Sequence, residues 1–550
     1  TAANRRVDAL FASVVRADGP GCAVGVYRHG EILLAKGYGL ANLETRQPIT
    51  AHTTFNIGSV SKPFTSLALL SLERDGRISL DDDIRRWLPE LPDYGTPIRV
   101  RDLLQHTSGL RDYGALDVLT GRSVANTTEL LALMAAQRAL NFQPGTRHEY
   151  SHSDFELLAP LIERATGTPF GEYLEREVLG PMGMTESFVF DERPRARPNR
   201  ALGHEVTAHG TRVIFPSNTT GGGSNLNTSV TDLARFDRNF DQPVVGGAGV
   251  IARMLSRPVL PSGDTIPYAY GLRLDMRRGL RTVERGGHDA GTLSEIIRFP
   301  DQHLTVAVMC NAEHLSAGRL GESVAAIYLG TMMRPATPVP VPPLAVAVSA
   351  ESLHRYAGVY RPIDMPWMVV PIEMRNGTLV EMLSHETRDD TTMVMTPAGD
   401  GRFFEIGSTG NVGMFTFSVP AGGGPMRLAT SWNGGPAEEL ERVPDSLVWR
   451  PGRAVGEYQG TWYSPDLDAV WQLVMRDGRQ LVLRRHGVPD HTLRPVTPDV
   501  FTRGFGPWAS ATSIQIEFHR NARGTITHLT VSTPPGEDSA VGVEFNKVDM

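Results

Sequence analysis

The amino-acid sequence predicts an α/β domain, built on a mostly antiparallel sheet flanked by helices, followed by two all-β antiparallel barrel domains. Three observations carry this. Up to about residue 330 the apolar spacing runs helix, two strands, a helical middle, then further strands and a closing helix. Residues 334–344, Arg-Pro-Ala-Thr-Pro-Val-Pro-Val-Pro-Pro-Leu, form a semi-rigid proline linker. Beyond it the chain repeats itself: Tyr356-Ala357-Gly358-Val359-Tyr360 returns as Tyr458-Gln459-Gly460-Thr461-Trp462-Tyr463, and Met374-Arg375-Asn376-Gly377 as Met475-Arg476-Asp477-Gly478. Asn-Gly and Asp-Gly are hairpin turns between alternating segments, so each copy reads as an antiparallel β-barrel or sandwich. The expected divisions are 1–333, the linker 334–344, then 345–443 and 444–550.

In the first region, Val7, Leu10, Phe11, Val14 and Val15 recur at helical spacing. Residues 22–28 and 31–38, joined by His29-Gly30, read as a hairpin. A helix over the apolar run from Phe64 stops at Asp75-Gly76. Residues 103–110 break a short helix with a turn. Ser153 and Glu156 are spaced as a capping box before Phe155, Leu157 and Leu158. Gly221-Gly222-Gly223-Ser224 precedes a helix capped at Thr228 or Ser229 and reads as a wall of a cleft. Gly286-Gly287-His288-Asp289-Ala290-Gly291-Thr292 leads into a strand over 293–299, with His288 at its start. Residues 303–310 form another strand, and 315–329 the closing helix.

Composition narrows the function. A chain of 550 residues exceeds one core. A net charge of -7 and a pI near 6.2 carry no nucleic-acid footprint. With 41% hydrophobic and 21% charged residues the chain is globular in type. No window approaches the roughly 18 uninterrupted apolar residues of a membrane span. The sequence opens at Thr1 with no charged and apolar leader, so any signal peptide is expected to have been removed, and location stays open between cytoplasm, periplasm and export. Two cysteines exclude a disulfide framework and a four-cysteine zinc site. With no G-x-S-x-G, G-x-G-x-x-G or P-loop, an α/β-hydrolase, a dinucleotide enzyme and an NTPase are disfavoured, and no cofactor is expected.

The chemistry centres on Phe55-Asn56-Ile57-Gly58-Ser59-Val60-Ser61-Lys62-Pro63-Phe64-Thr65. Positions i and i+3 share a helical face, so Lys62 stands over Ser59 and can exchange a proton with its hydroxyl. Pro63 belongs in a first helical turn, which sets Ser59 at the positive end of a helix, where an oxyanion is stabilised. A competing pattern, His148-Glu149-Tyr150-Ser151-His152, fits the zinc-protease H-E-x-x-H. That chemistry needs both histidines on one helical face, and Pro144-Gly145 just upstream makes a turn instead.

These stretches, with Tyr150 and His288 following in order, resemble the serine β-lactamase and penicillin-binding-protein superfamily over roughly residues 5–332. The likeness is to the branch with class C β-lactamases, D-alanyl-D-alanine carboxypeptidases, esterases and D-aminopeptidases. The motifs are an S-x-x-K, a Y-x-N and a K-T-G or H-x-G. The resemblance implies a β-lactamase/DD-peptidase-like fold with Ser59 as nucleophile, Lys62 as its helical partner, Tyr150 as the second-motif phenol and His288 as the third-motif cation or donor. It also implies an oxyanion hole from the N–H groups of Ser59 and Gly291. His106 is left structural. The chain departs from the pattern at His152, where the family has Asn and an amide contact to the substrate carbonyl, and at Ala290, where it has Gly.

The three-part layout resembles the D-aminopeptidases, which release N-terminal D-residues from peptides and amides. An esterase, β-lactamase or carboxypeptidase on the same domain is the enzyme alternative, and a non-hydrolysing penicillin-binding sensor the alternative of another class. The expected partner is a small peptide, amide or ester substrate, with no nucleic acid and no membrane span. Oligomeric state stays open, a homodimer included. In this superfamily the strands of Cys22 and Cys310 look like antiparallel neighbours, and two buried free thiols are expected there. An aminopeptidase must recognise a free ammonium; Asp289 lies near the motifs, but on a strand it can point away. In the second barrel Arg485-His486-Gly487-Val488-Pro489-Asp490-His491 is expected as a protruding loop that offers Asp490 to the substrate amine.

Overall fold

A computed structural model of the chain describes every residue except 192, 194–198, 208–209, 217, 336–340, 364–368, 383–391, 407–411, 450–454, 504–513, 534–538 and 549–550. The middle of the proline segment and the end of the segment joining the two repeats lie outside the described residues. The chain divides into two units, Thr1–Leu110 with Ser123–Ala336, and Arg111–Arg122 with Thr337–Met550.

The first unit is a seven-stranded sheet in the order Tyr268–Ala269, Leu272–Arg277, Leu280–Asp289, Thr292–Phe299, Leu304–Cys310, Cys22–Arg28, Glu31–Tyr38. Every pairing is antiparallel. Leu304–Cys310 is buried throughout and Cys22–Arg28 up to its last residue, because helices cover both faces. Val24, Val26, Val306 and Val308 pack with Val7 and Phe11 of helix Ala2–Ala12 and with Leu320 and Val324 of helix Ala317–Leu329. On the opposite face Tyr27 donates its hydroxyl to the carbonyl of Val230, which begins helix Val230–Asp241. That helix is capped by Ser229, whose side chain accepts from the Asp232 N–H. The His29-Gly30 hairpin turn forms with φ of 53° and 75°.

Cys22 and Cys310 form a disulfide, which corrects the expectation of free thiols. The register explains it. Asn311 N–H donates to the Gly21 carbonyl at 3.0 Å, so the next pair along, Cys22 opposite Cys310, is of the non-hydrogen-bonded kind, whose side chains approach most closely. Their Cα atoms are 4.0 Å apart.

The second unit holds two closed eight-stranded antiparallel barrels, whose strands run in sequence order around each. The first extends from Gly358–Pro362 to Glu438–Arg442, the second from Gly460–Ser464 to Val543–Val548. Asn376-Gly377 and Asp477-Gly478 both take positive φ in their turns. Residues 111–122, placed by sequence with the catalytic domain, belong to this unit. The reason is a buried ion pair: Arg111 Nη1 lies 2.8 Å from Asp466 Oδ2, and Nη2 donates to the carbonyls of Val541 and Gly542. Helix Tyr113–Thr120 follows, and the Trp471 indole donates to the Leu119 carbonyl at 3.1 Å.

Candidate active site

Ser59 lies in a 3₁₀ turn, Gly58–Ser61, that runs directly into helix Lys62–Arg74 with Pro63 in its first turn. The helix stops at Asp75, with Gly76 at φ 71°. Lys62 is therefore the first residue of the helix, and Ser59 stands just before its positive end. The Lys62 ammonium is fully buried, donates to Ser59 Oγ at 2.9 Å and to the Gly223 carbonyl at 3.0 Å, and lies 5.2 Å above the Tyr150 ring. The glycines at 221–223 let that backbone come close. A Cβ at Gly223 would fall 2.7 Å from Glu156 Oε1 and 3.2 Å from Lys62 Nζ.

Tyr150 completes a triangle, its hydroxyl 2.8 Å from Ser59 Oγ. It lies just ahead of helix His152–Thr166, whose N-cap is Ser151 rather than the expected Ser153. His148 precedes that helix and His152 is its first residue, so the H-E-x-x-H pair does not share a helical face. The His152 ring meets the Tyr150 ring edge-on at 5.3 Å. His106 is buried and packs against Tyr150, ring centroids 4.4 Å apart. Its ring nitrogens lie 3.1 Å from Asp154 Oδ2 and 3.0 Å from the Tyr268 hydroxyl. Burial, with the charge of Lys62, holds its pKa well below the ordinary imidazole value.

Sequence reasoning missed Arg285. Its Nη2 donates to the Tyr150 hydroxyl at 2.5 Å, its Nε donates to the Ser59 carbonyl at 3.1 Å, and the guanidinium lies 5.0 Å from the Tyr150 ring centroid. Burial works to raise the Tyr150 pKa, but Arg285 and then Lys62 outweigh it and bring the phenol down to about 8. No motif marks Arg285; the one clue is its place three residues before His288 on the same strand. Glu156 was also read only as a capping residue. It accepts from Ser224 Oγ at 3.1 Å, and burial raises its carboxyl to about 7 against the pull of Lys62.

His288 sits near the end of strand Leu280–Asp289 rather than at the start of the next one. Ala290 and Gly291, at φ 41° and 75°, form a two-residue turn between His288–Asp289 and Thr292–Leu293. The Ala290 methyl thus belongs to the turn, not to a strand. The backbone of this strand lies against the nucleophile: a Cβ at Gly287 would be 2.0 Å from the Ile57 carbonyl oxygen and 3.0 Å from Ser59 N, and one at Gly58 would meet the His288 backbone at 2.7–2.8 Å. The His288 side chain is 62% exposed, with Nε2 3.2 Å from Glu313 Oε1. Gly291 packs against Gly203 and His204. Asp289 turns to Asn56, whose amide donates to it at 2.7 Å.

Asp490 belongs to the second unit. The expected loop is instead a hairpin: strand Gln480–Arg485, a turn at His486-Gly487 with Gly487 at φ 72°, and strand Val488–Thr497. A register shift in that pairing accommodates Pro489. The Asp490 carboxylate pairs with Arg484 at 3.1 Å and Arg476 at 3.5 Å. Among the described residues no group of His, Cys, Asp and Glu is arranged to hold a metal ion.

Residues 7–329 match a family model described as Beta-lactamase. The chain is 29% identical over 413 residues to a D-aminopeptidase of Gluconobacter oxydans (strain 621H), covering 72% of this chain and 77% of that protein. It is 27% identical over 554 residues to a D-aminopeptidase of Brucella anthropi, covering 96% of each. Among solved structures, the octameric penicillin-binding protein homologue from Pyrococcus abyssi superposes with a TM-score of 0.56 at 21% identity, over 80% of this chain and 99% of that one.

Proposed function

Because this chain belongs to the Beta-lactamase family and is a serine hydrolase, we propose that it is a D-stereospecific aminopeptidase or amidase that releases N-terminal D-residues through an acyl-enzyme on Ser59. The observation that carries this reading is the match to the Brucella anthropi D-aminopeptidase, which spans 96% of both chains and so includes the barrels as well as the catalytic domain.

The site supports a definite sequence of proton movements. Tyr150, with its pKa near 8, is ionised in part at neutral pH and takes the Ser59 proton while Oγ attacks the carbonyl carbon. The Ser59 N–H, ahead of the helix beginning at Lys62, faces the developing oxyanion. As the carbon–nitrogen bond breaks, Tyr150 returns the proton to the leaving amine. Water then attacks the ester, giving its proton to Tyr150, and Tyr150 passes that proton to Ser59 Oγ as the acyl C–O bond breaks and the acid leaves. Lys62, hydrogen-bonded to Ser59 Oγ, keeps positive charge beside both reacting oxygens. Mixing the enzyme with L- and D-aminoacyl anilides, p-nitrophenyl esters and a chromogenic cephalosporin tests the reading. Turnover of D-aminoacyl anilides well above their L-enantiomers supports it. Preference for the esters or the cephalosporin replaces it with an esterase or β-lactamase, and a burst without turnover with a sensor.

A further inference from the structure

Three residues on one face of strand Leu280–Asp289 meet the nucleophile turn in order. Side chains alternate along a strand, so Arg285, Gly287 and Asp289 share a face. Arg285 reaches the Ser59 carbonyl and the Tyr150 hydroxyl. A Cβ at Gly287 would lie 3.0 Å from Ser59 N, and Asp289 Oδ2 accepts from the Asn56 amide at 2.7 Å. His288, between the last two, faces the other way, to Glu313. Two residues of strand advance about 7 Å, so this face presents first the Tyr150 end, then the level of the Ser59 N–H, and then a carboxyl group, in equal steps.

That order matches the parts of a substrate being cleaved. The leaving amine takes its proton from Tyr150 and so departs toward the Arg285 end. The acyl group leaves the tetrahedral carbon the other way, past Gly287 toward Asp289. In an aminoacyl group the first charged atom met on that side is the α-ammonium nitrogen, two bonds from the carbonyl carbon.

The surroundings of Asp289 suit a cation. Asn56 is buried; its amide fixes one carboxyl oxygen, and its own side-chain carbonyl accepts from the Gly58 N–H at 3.0 Å. The same residue thus ties Asp289 to the turn that carries Ser59. Among the described residues nothing donates to Asp289 Oδ1, and the residue is partly exposed. Arg200, the neighbouring guanidinium, turns instead to Asn227 Oδ1 at 3.0 Å and lies 4.6 Å over the Phe190 ring. Burial raises the Asp289 pKa, while the Asn56 amide and the charges of His288, Arg200 and His152 pull it down. A direct cationic partner would stabilise the ionised form further.

We propose that Asp289 selects a free α-ammonium in the acyl group, Oδ1 accepting a charge-assisted hydrogen bond from it. This rests on the aminopeptidase reading and assigns the residue by which that site recognises its substrate.

Steady-state kinetics of the full chain with D-alanyl p-nitroanilide and with p-nitrophenyl propionate, which carries the same acyl group without the amine, test the proposal. Asparagine at 289 can still accept from Asn56 but carries no charge. The ratio of kcat/KM for the anilide to that for the ester is expected to fall at least tenfold in Asp289→Asn and in Asp289→Ala. Each ratio is taken within one protein, so any loss of folded enzyme cancels. A smaller fall in both variants overturns the proposal, including an equal loss on both substrates, which is what a role confined to holding Asn56 would give. Wild-type enzyme that prefers L-alanyl p-nitroanilide contradicts the D-stereospecific reading alone, and the ratio measured with that anilide still decides the role of Asp289. Hydrolysis of the ester with no turnover of either anilide overturns both.

Discussion

Arg285 Nη2 and the Tyr150 hydroxyl lie 2.5 Å apart, so a cation that arrives from the sheet joins Lys62 of the Ser59 helix in holding the phenol beside the nucleophile. A phenolate acts as base only when ionised, and activity should rise with pH through the Tyr150 pKa near 8. Replacing Arg285 by Leu removes the largest influence lowering that pKa. The rising limb of kcat/KM should then move to higher pH by about one unit or more, with roughly tenfold less activity at pH 7 for each unit. Arg285→Lys should restore part of the shift. A limb that stays in place in Arg285→Leu would show that Arg285 does not tune the phenol.

Ser59 and Ser61 make a contrasting pair. Ser59→Ala should reduce turnover by several orders of magnitude, because among the described residues Ser59 is the nucleophile that touches both Tyr150 and Lys62. The Ser61 hydroxyl points into the core and accepts from the Leu226 N–H at 3.2 Å. Ser61→Ala should cost about 1 kcal/mol of stability and leave kcat within a few-fold. Comparable losses of kcat in both would contradict the assignment.

The Cys22–Cys310 disulfide closes a loop of sequence separation 288 across the sheet. Thiol titration in denaturant should find no free thiol, and two after reduction. Removing the bridge by Cys22→Ala with Cys310→Ala should lower stability by about 2–5 kcal/mol. Two thiols titrating without reductant would refute the bond.

Arg111 and Asp466 test the assignment of residues 111–122 to the barrel unit. Both are buried, 2.8 Å apart. Asp466→Asn leaves the Arg111 charge without its carboxylate and should destabilise the barrels by about 3–5 kcal/mol in chemical denaturation. A change below about 0.5 kcal/mol would mean that the pair does not anchor the segment.

Much of this was legible because it is local. Ser59 and Lys62 are three residues apart, and that spacing alone predicts their contact. The hairpins at His29-Gly30 and Asn376-Gly377 follow from residues that tolerate positive φ. The barrels were visible as a repeat. What was not legible depends on partners distant in sequence. Arg285 is 135 residues from Tyr150, and nothing in its neighbours marks it. The two cysteines were placed on adjacent strands, but whether such a pair is close enough to bond depends on the alternation of the ladder. Gly487 and Pro489 read as breakers of a strand, whereas a two-residue turn and a register shift absorb both. The backbone of His288 lies beside Gly58, and its side chain pairs with Glu313, a partner that only the fold brings near.

The central claim is that a D-aminoacyl group is carried on Ser59. Acid-quenching the enzyme a few milliseconds after mixing with D-alanyl p-nitroanilide, followed by peptide mass spectrometry, tests it directly. The account predicts one D-alanyl adduct on the peptide containing Ser59, absent in Ser59→Ala. An adduct on any other residue, or turnover by Ser59→Ala at the wild-type rate, would contradict it.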